Sequence, residues 1–374
     1  MSGIEVKSIR LPEQAEAFYT LPFSIYRGEP RWVAPLLFER KEFFNPAKNP
    51  FLRQAEVQCF LAYSNGRAVG SIAATMDPAL LAREPGVGLF GFFEAEDDPA
   101  IAPALWQAAC AWLRARGATR VRGPCNFTQN HECGLLVEGF DDDPVLMMTW
   151  NPPRYEAALE GLGLRKAMDL LGFTMDAGPI PPSIAAISAR VIARNPKLVI
   201  RPLEPSRFDQ ERDIAFRLYN DAWEDNWGFT KLSEAEFDKL AEGLKEMLDP
   251  RLAFVAEVDG EPAAIAITLP DYNQVIKPMR GKLLPFGWWY WLTRAKRFDR
   301  LRVFILGVSH KFQHIALGAP LYVRTWEAAQ QMGVRGAEAG WVLECNHRMC
   351  GALVKLGARA DKRWRIYEAA LTPR

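Results

Sequence analysis

Three short patterns occur twice in this 374-residue chain, in the same order. The first alternates apolar and polar residues around a turn. It reads CFLAYSNGRAVGSIAA (59–74) around Asn65-Gly66 and AFVAEVDGEPAAIAIT (253–268) around Asp259-Gly260. Asn-Gly and Asp-Gly between such runs predict β-hairpins, because both central residues of the tight turn need positive φ. The second pattern is an amphipathic helix that stops at glycine, LWQAACAWLRARG (105–117) and LYVRTWEAAQQMG (321–333). The third opens on asparagine and closes on Leu-Gly: NPPRYEAALEGLGL from Asn151 and NHRMCGALVKLGA from Asn346. Each pattern alone is common. The ordered set argues for duplication of one structural unit.

The stretch AGPIPPSIAAISARVIARNPK (177–197) separates the two copies, and its prolines discourage regular structure. Residues 1–176 are read as a first domain, 177–198 as a linker with room for a short helix, and 199–374 as a second domain. Roughly 100–200 residues per domain is the usual size. Each half runs strand, helices, hairpin, strand, helix, strand, helix, strand. That order predicts an α+β (mixed α/β) fold, with a central, mostly antiparallel sheet flanked by helices.

Composition narrows the classes. With 49% apolar and 24% charged residues the chain has enough apolar surface for two cores. A net charge of +1 leaves no global basic field, so no nucleic-acid partner is expected. Six cysteines, at 59, 110, 125, 133, 345 and 350, form no CxxC pair. They are read as free thiols in a reducing cytosol, with no metal site. The N-terminus is too polar for a signal peptide, and no apolar run approaches the ~18 residues of a membrane span. A cytoplasmic protein is expected, with peripheral contact to the inner membrane left open.

Residues 301–318, LRVFILGVSHKFQHIALG, run from an apolar strand through a polar turn into a helix near Gly318. A loop entering a helix offers unpaired N–H groups and the positive end of the helix dipole, which suit phosphate oxygens. Small residues must line such a loop, and Ala316, Gly318 and Ala319 supply them. This region resembles the acyl-CoA loop of the GNAT superfamily, Gln/Arg-x-x-Gly-x-Gly/Ala after a strand ending in Val. Here Gln313-His314-Ile315-Ala316-Leu317-Gly318 follows Val308, and Asn346 stands where the family places an asparagine near the pantetheine arm. The resemblance implies acyl-CoA as co-substrate rather than a permanently bound cofactor, with acyl carrier protein as an alternative donor. The implied contacts are Leu306, Val308, Gln313, His314, Ala316, Gly318, Ala319 and Asn346. Two positions depart from the pattern. Ala316 replaces a glycine, and Leu353 stands where many members carry a tyrosine acid seven residues after the asparagine. In the first half the equivalent strand, Val87–Phe93, runs into EAEDDPA, which is acidic where phosphates would sit, so that copy is expected to lack the cofactor.

Attack of an amine on a thioester needs a base, and a strand amide can polarise the carbonyl. His310, at the end of the cofactor strand, and Glu344, at the end of the next, are candidates. In the first half GPCNFTQNHECGLLVEGF (123–140) is dense in polar groups, and His131 and Glu132 are further candidates there. A turn-rich connection is the alternative reading of that segment.

Residues 277–302, KPMRGKLLPFGWWYWLTRAKRFDRLR, carry eight basic residues against one acid. Trp288, Trp289, Tyr290 and Trp291 stand together, with Arg294, Lys296 and Arg297 close behind. Aromatics favour the headgroup region and Lys/Arg meet anionic lipid, so an insertion that contacts a membrane or a lipid substrate is expected. Core packing and nucleic-acid stacking are the alternatives. The tandem halves, this insertion and the segments around 123–140 and 147–164 are similar to bacterial proteins related to ceramide synthase. That resemblance implies a long-chain acyl-CoA donor, a sphingoid-base acceptor, and an amide product. A GNAT enzyme on a soluble amine, and a non-catalytic GNAT-derived binding protein, remain as competing readings.

Overall fold

In the computed structural model, residues 3–294 and 297–371 are described. The chain divides into two compact units. Among the described residues, unit 1 holds 3–170, 276–292 and 362–371, and unit 2 holds 171–275, 293–294, and 297–361. Most of the aromatic insertion and the C-terminal strand therefore group with unit 1, a pairing that a linear division into halves does not contain.

The strands of the first part of the chain are β1 (Glu5–Ile9), β2 (Glu56–Ser64), β3 (Arg67–Met76), β4 (Val87–Ala95), β5 (Arg120–Gly123), β6 (Cys125–Asn126), β7 (Glu132–Cys133) and β8 (Leu135–Glu138). They are followed by β9 (Arg165–Asp176), β10 (Leu198–Pro202), β11 (Ala253–Val258), β12 (Glu261–Pro270), β13 (Arg300–Val308), β14 (Gly336–Leu343) and β15 (Arg359–Ala370). In unit 1 the sheet order is β1-β2-β3-β4-β5-β15, with β8 also on β15. In unit 2 it is β10-β11-β12-β13-β14-β9. The β4–β5 pair in unit 1 and the β13–β14 pair in unit 2 are parallel, whereas the hairpin-side neighbours β1–β2–β3–β4 and β10–β11–β12–β13 and the β5–β15 and β8–β15 pairs are antiparallel.

Both expected hairpins form. Asn65 and Gly66 have φ of 50° and 78°, and Asp259 and Gly260 have φ of 56° and 78°. Positive φ at both positions gives the turn a twist that matches the strands it joins. The amphipathic helices run Ile101–Arg114 and Gly318–Met332. The first packs Ile101, Leu105, Ala109 and Leu113 against β2 and β3. The segment 177–198 is more ordered than a linker: Pro182–Arg194 is a helix whose Ile184 and Val191 are buried.

The third echo is only partly structural. Asn346 caps its helix, accepting the Met349 N–H at 3.0 Å. Asn151 does not cap the helix Arg154–Gly161, which starts from Pro153. Its side chain instead accepts the Leu136 N–H at 2.7 Å and donates to the Leu136 carbonyl at 3.1 Å. The same residue type thus meets a backbone edge in one copy and a helix end in the other.

Candidate active site

Each parallel pair stays together only briefly. β13 and β14 register from Arg300↔Gly336 to Val303↔Ala339, and β4 and β5 from Val87↔Arg120 to Leu89↔Arg122. Beyond these points the strands part. A bulge accompanies the parting in unit 2, where Ile305 faces Ile267 but Val303 faces Thr268, so that Phe304 is the extra residue on β13. Strands that separate expose backbone groups that a sheet would otherwise pair, and such groups need partners.

In unit 2 the parting opens a cleft of about 590 Å³. Its walls are Val303, Phe304, Leu306, Gly307 and Val308 on β13 and Ala339–Leu343 on β14. Its far end is built from Gln313, Ala316, Leu317, Gly318 and Ala319 at the start of the helix Gly318–Met332, and from Asn346, His347 and Arg348. Of the expected donor contacts, Leu306, Val308, Gln313, Ala316, Gly318, Ala319 and Asn346 line this one cleft. Exposed His314 lies in the same loop but not among the lining residues. No side chain caps the helix at Leu317; the Ala319 N–H donates to the Ala316 carbonyl at 3.2 Å and Pro320 carries no N–H, so the Gly318 N–H is the backbone donor at the cleft end. Arg348 donates to the Gln313 carbonyl at 2.9 Å and ties the two loops together. Ala316 adopts the left-handed conformation, φ 60° and ψ 39°. A glycine takes that conformation freely, whereas alanine pays about 1 kcal/mol for it.

A second, apolar cavity of about 60 Å³ lies between the sheet and the helix Gly318–Met332. It shares Val303, Leu306 and Tyr322 with the cleft. Tyr322, which the sequence reading missed, is one turn beyond Gly318 and donates its hydroxyl to Met349 Sδ at 2.9 Å. Burial pushes its pKa well up. Trp223 and Asn226, also missed, enter the cleft from the end of the helix Phe208–Ala222. The signal that could have found Tyr322 is its four-residue spacing from Gly318, which places both on one helix face.

The candidate base His310 is exposed and outside the cleft lining. Its Nδ1 meets Asp221 at 3.1 Å, its Nε2 meets Asp225 at 3.0 Å, and its backbone N–H donates to Asp221 at 3.0 Å. Hydrogen bonding to Asp221 raises its pKa, and Asp225 adds to this. A cation here also suits the C-terminal end of the helix Phe208–Ala222. Glu344 follows β14, half-buried, and does not line the cleft.

His131 and Glu132 belong to unit 1, where the parting of β4 and β5 has a different fate. The chain Cys125–Phe127 fills it. A Cβ on Gly91 would stand 1.8 Å from the Cys125 carbonyl oxygen, so only glycine fits. Phe92, with φ 48°, donates its N–H to Asn126 Oδ1 at 2.7 Å. Asn126 in turn donates to Glu132 at 3.3 Å, and Glu132 takes Arg40 at 2.7 and 2.9 Å. Burial pushes the Glu132 carboxyl up, but Arg40 outweighs it and holds it low. His131 is half-buried, edge-on to Phe43 and Phe51, and desolvation of its ring lowers its pKa to about 4. Both residues expected to meet an amine are engaged inside unit 1 in holding this plug. The plug joins an aromatic cluster of Phe18, Phe43, Phe44, Phe51, Phe92 and Phe127.

The basic residues of the insertion do not share one face. Lys277 pairs with Asp143, Arg302 is buried in β13, and Arg297 donates to Thr293 at 3.1 Å. Arg294 is half-buried and hydrogen-bonded to Tyr272, Tyr290 and Trp291 are half-buried, and Lys296 lies outside the described residues. Trp288 and Trp289 are exposed. Among the described residues no helix is long and apolar enough to cross a membrane, no group of side chains could hold a metal ion, and the six cysteines are free.

No family model matches the chain. It is 40% identical to the bacterial ceramide synthase of Caulobacter vibrioides, over 99% of this chain and 98% of that protein. It is 35% identical to protein YghO of Escherichia coli, over 94% of this chain and 92% of that one. Among solved structures, a tandem GNAT protein from the clavulanic acid biosynthesis pathway covers both chains completely with a TM-score of 0.59 and 14% identity. A GCN5-related N-acetyltransferase from Sphaerobacter thermophilus covers 99% of this chain and 96% of its own, with a TM-score of 0.52 and 11% identity. The fold is therefore a tandem GNAT, and by its identity along nearly the whole length the chain belongs to the bacterial ceramide synthase family of acyl-CoA-dependent N-acyltransferases.

Proposed function

We propose that the chain transfers a long-chain acyl group from acyl-CoA to the amine of a sphingoid base. The observation that carries the donor half is the cleft where β13 and β14 part, with its end at the uncapped helix start. Gln313, Gly318, Ala319 and Arg348 would receive the pyrophosphate, and the strand edge beyond Phe304 the pantetheine arm. The neighbouring apolar cavity, reached past Val303, Leu306 and Tyr322, supports a chain longer than acetyl. The acceptor class rests on the relative named bacterial ceramide synthase.

In the reaction the amine nitrogen adds to the thioester carbonyl, the C–S bond breaks, and the thiolate takes a proton while the amine loses one. Tyr322, which lines the cleft and whose raised pKa keeps its hydroxyl protonated, is the proposed donor to the thiolate. It takes the part that the leucine at 353 cannot. His310, whose ring meets the carboxylates of Asp221 and Asp225, is proposed as a positioning residue that ties the helix Phe208–Ala222 to the donor loop.

The test is incubation with palmitoyl-CoA and 3-ketosphinganine, following free CoA with a thiol reagent and the amide by mass spectrometry. Acceptor-dependent CoA release with amide product supports the reading. CoA release with a soluble amine only would replace the acceptor. Activity with acyl carrier protein alone would replace the donor. Folded protein that neither binds nor turns over any donor would leave a non-catalytic role.

A further inference from the structure

Ten large apolar side chains stand substantially exposed among the described residues, and five of them fall within nine positions of one segment. Leu284, Phe286, Trp288, Trp289 and Leu292 are 46% to 75% exposed. Scattered exposed apolar residues are ordinary, whereas a contiguous group marks a contact surface.

The segment is braced rather than loose. At its base, Met279 is buried and Lys277 pairs with Asp143. The Gly281 carbonyl accepts the Leu37 N–H at 3.0 Å. A Cβ on Gly281 would stand 2.5 Å from the Phe23 ring, and φ there is +82°, so the chain can pass only as glycine. Above the base, buried Gly287 sits where a Cβ would meet the Lys282 carbonyl at 2.2 Å. The Trp288 N–H donates to Leu283 at 2.9 Å and its indole donates to Pro285 at 2.7 Å. The chain thus holds five apolar side chains outward on a closed turn.

Residues 276–292 carry Lys277, Arg280 and Lys282 and no acid. Arg280 and Lys282 are exposed and precede the first exposed apolar residue, Leu284, by four and two positions. Exposed apolar side chains, two of them tryptophans, next in sequence to exposed cations and with no acid among them suit an anionic bilayer surface, where tryptophan meets the headgroup region and Lys/Arg meet phosphate. With only six residues in the helix Gly287–Leu292, the turn can lie in the interface and cannot span it.

We propose that residues 280–292 form a docking hook by which unit 1 seats on an anionic lipid surface. Leu284, Phe286, Trp288, Trp289 and Leu292 enter the headgroup–acyl boundary, and Arg280 and Lys282 meet lipid phosphates. The hook rests on the lipid-acceptor reading for its purpose, but its test does not depend on turnover.

Full-length protein is sedimented with phosphatidylcholine vesicles, with and without phosphatidylglycerol, at low and high salt. Binding to the anionic vesicles is expected. The triple variant Leu284→Ser/Phe286→Ser/Trp288→Ser, checked for folding by circular dichroism, should lose it by at least about tenfold, or about 1.4 kcal/mol. Arg280→Glu/Lys282→Glu should lose the anionic preference and its salt dependence while keeping the same fold. Turnover of a short-chain acceptor that is soluble as a monomer should not change in either variant. Absence of binding by the wild type, or unchanged binding by the triple variant, overturns the hook. So does a shift from dimer to monomer in the triple variant on ultracentrifugation, without vesicle binding by the wild type, which assigns the surface to a second copy. Vesicle binding with no amide formed would sink the sphingoid-acceptor reading and leave the hook standing. Amide formed without vesicle binding would do the reverse.

Discussion

The side-chain oxygen of Asn126 accepts the backbone N–H of Phe92 at 2.7 Å. Phe92 lies on β4 where that strand leaves β5, the position at which a GNAT strand would offer its amide to a thioester carbonyl. In unit 1 that amide is occupied from within the protein. In unit 2 the corresponding parting of β13 and β14 is a cleft. Asn126→Ala should leave the Phe92 N–H and one face of Glu132 unsatisfied. A loss of about 1–3 kcal/mol is expected in denaturant unfolding. Acyl-CoA affinity by calorimetry should stay at the wild-type value, because the donor is proposed to bind unit 2.

Gly318→Glu addresses the donor loop. A Cβ there meets nothing closer than Tyr322 at 3.7 Å and φ is not left-handed, so folding is expected to be unaffected. The new carboxylate would lie at the end of the cleft where phosphate oxygens are proposed. Like charge in a site of this kind costs several-fold to a hundredfold, so the acyl-CoA Kd should rise by about 1–3 kcal/mol at low salt. Unchanged affinity would remove the helix start from the donor site.

Tyr322→Phe keeps the ring and removes the hydroxyl that contacts Met349. General-acid groups contribute about 10²–10⁴-fold, so kcat should fall by about a hundredfold with KM for acyl-CoA little changed. The deficit should shrink with donors whose thiol leaves more easily. A loss confined to KM would make Tyr322 a binding wall only.

Glu94 gives unit 1 a pH dependence. Its carboxylate accepts the hydroxyls of Tyr26 at 2.7 Å and Tyr155 at 2.9 Å. Burial raises its pKa to about 7, against the lowering effect of those two hydroxyls. The folded state therefore holds a proton that the unfolded chain, near 4.5, has released. Stability is greatest below about pH 4.5 for this group, falls as pH rises from there to about 7, and levels off above. Glu94→Gln keeps an acceptor for the tyrosines and should flatten that fall in a Tm-versus-pH series. A wild-type series already flat over the same range would contradict it.

His310 should titrate above 6.5 in an NMR experiment, because Asp221 and then Asp225 favour its imidazolium. The stabilising contact is present below that value and lost as pH rises through the folded pKa. Asp221→Asn should move the midpoint down. A midpoint at or below 6.5 in the wild type would contradict this reading of the two contacts.

The hairpins, the helices that follow them and the donor loop were legible because each depends on local chemistry. Asn-Gly and Asp-Gly take positive φ wherever they stand, and apolar spacing of three and four residues makes a helix face before any partner arrives. The order of those elements determined the tandem fold, and the run from Val308 to Gly318 determined where a phosphate-bearing donor would be sought. Which polar residue meets what was not determined in that way. His131 and Glu132 read as chemistry because they are dense and polar, but Arg40 and Phe51 reach them from eighty or more positions upstream and make them part of a plug. His310 reads as a candidate base from its place at the strand end, and its contacts to Asp221 and Asp225 come from a helix end some eighty-five or more positions upstream. Tyr322 looked like one more helical aromatic, and only the parting of β13 from β14 places it on a cleft wall. Local conformation follows from a residue and its neighbours in sequence. Protonation, burial and the difference between an open and a filled gap follow from neighbours in space, and those are supplied by the tertiary fold alone.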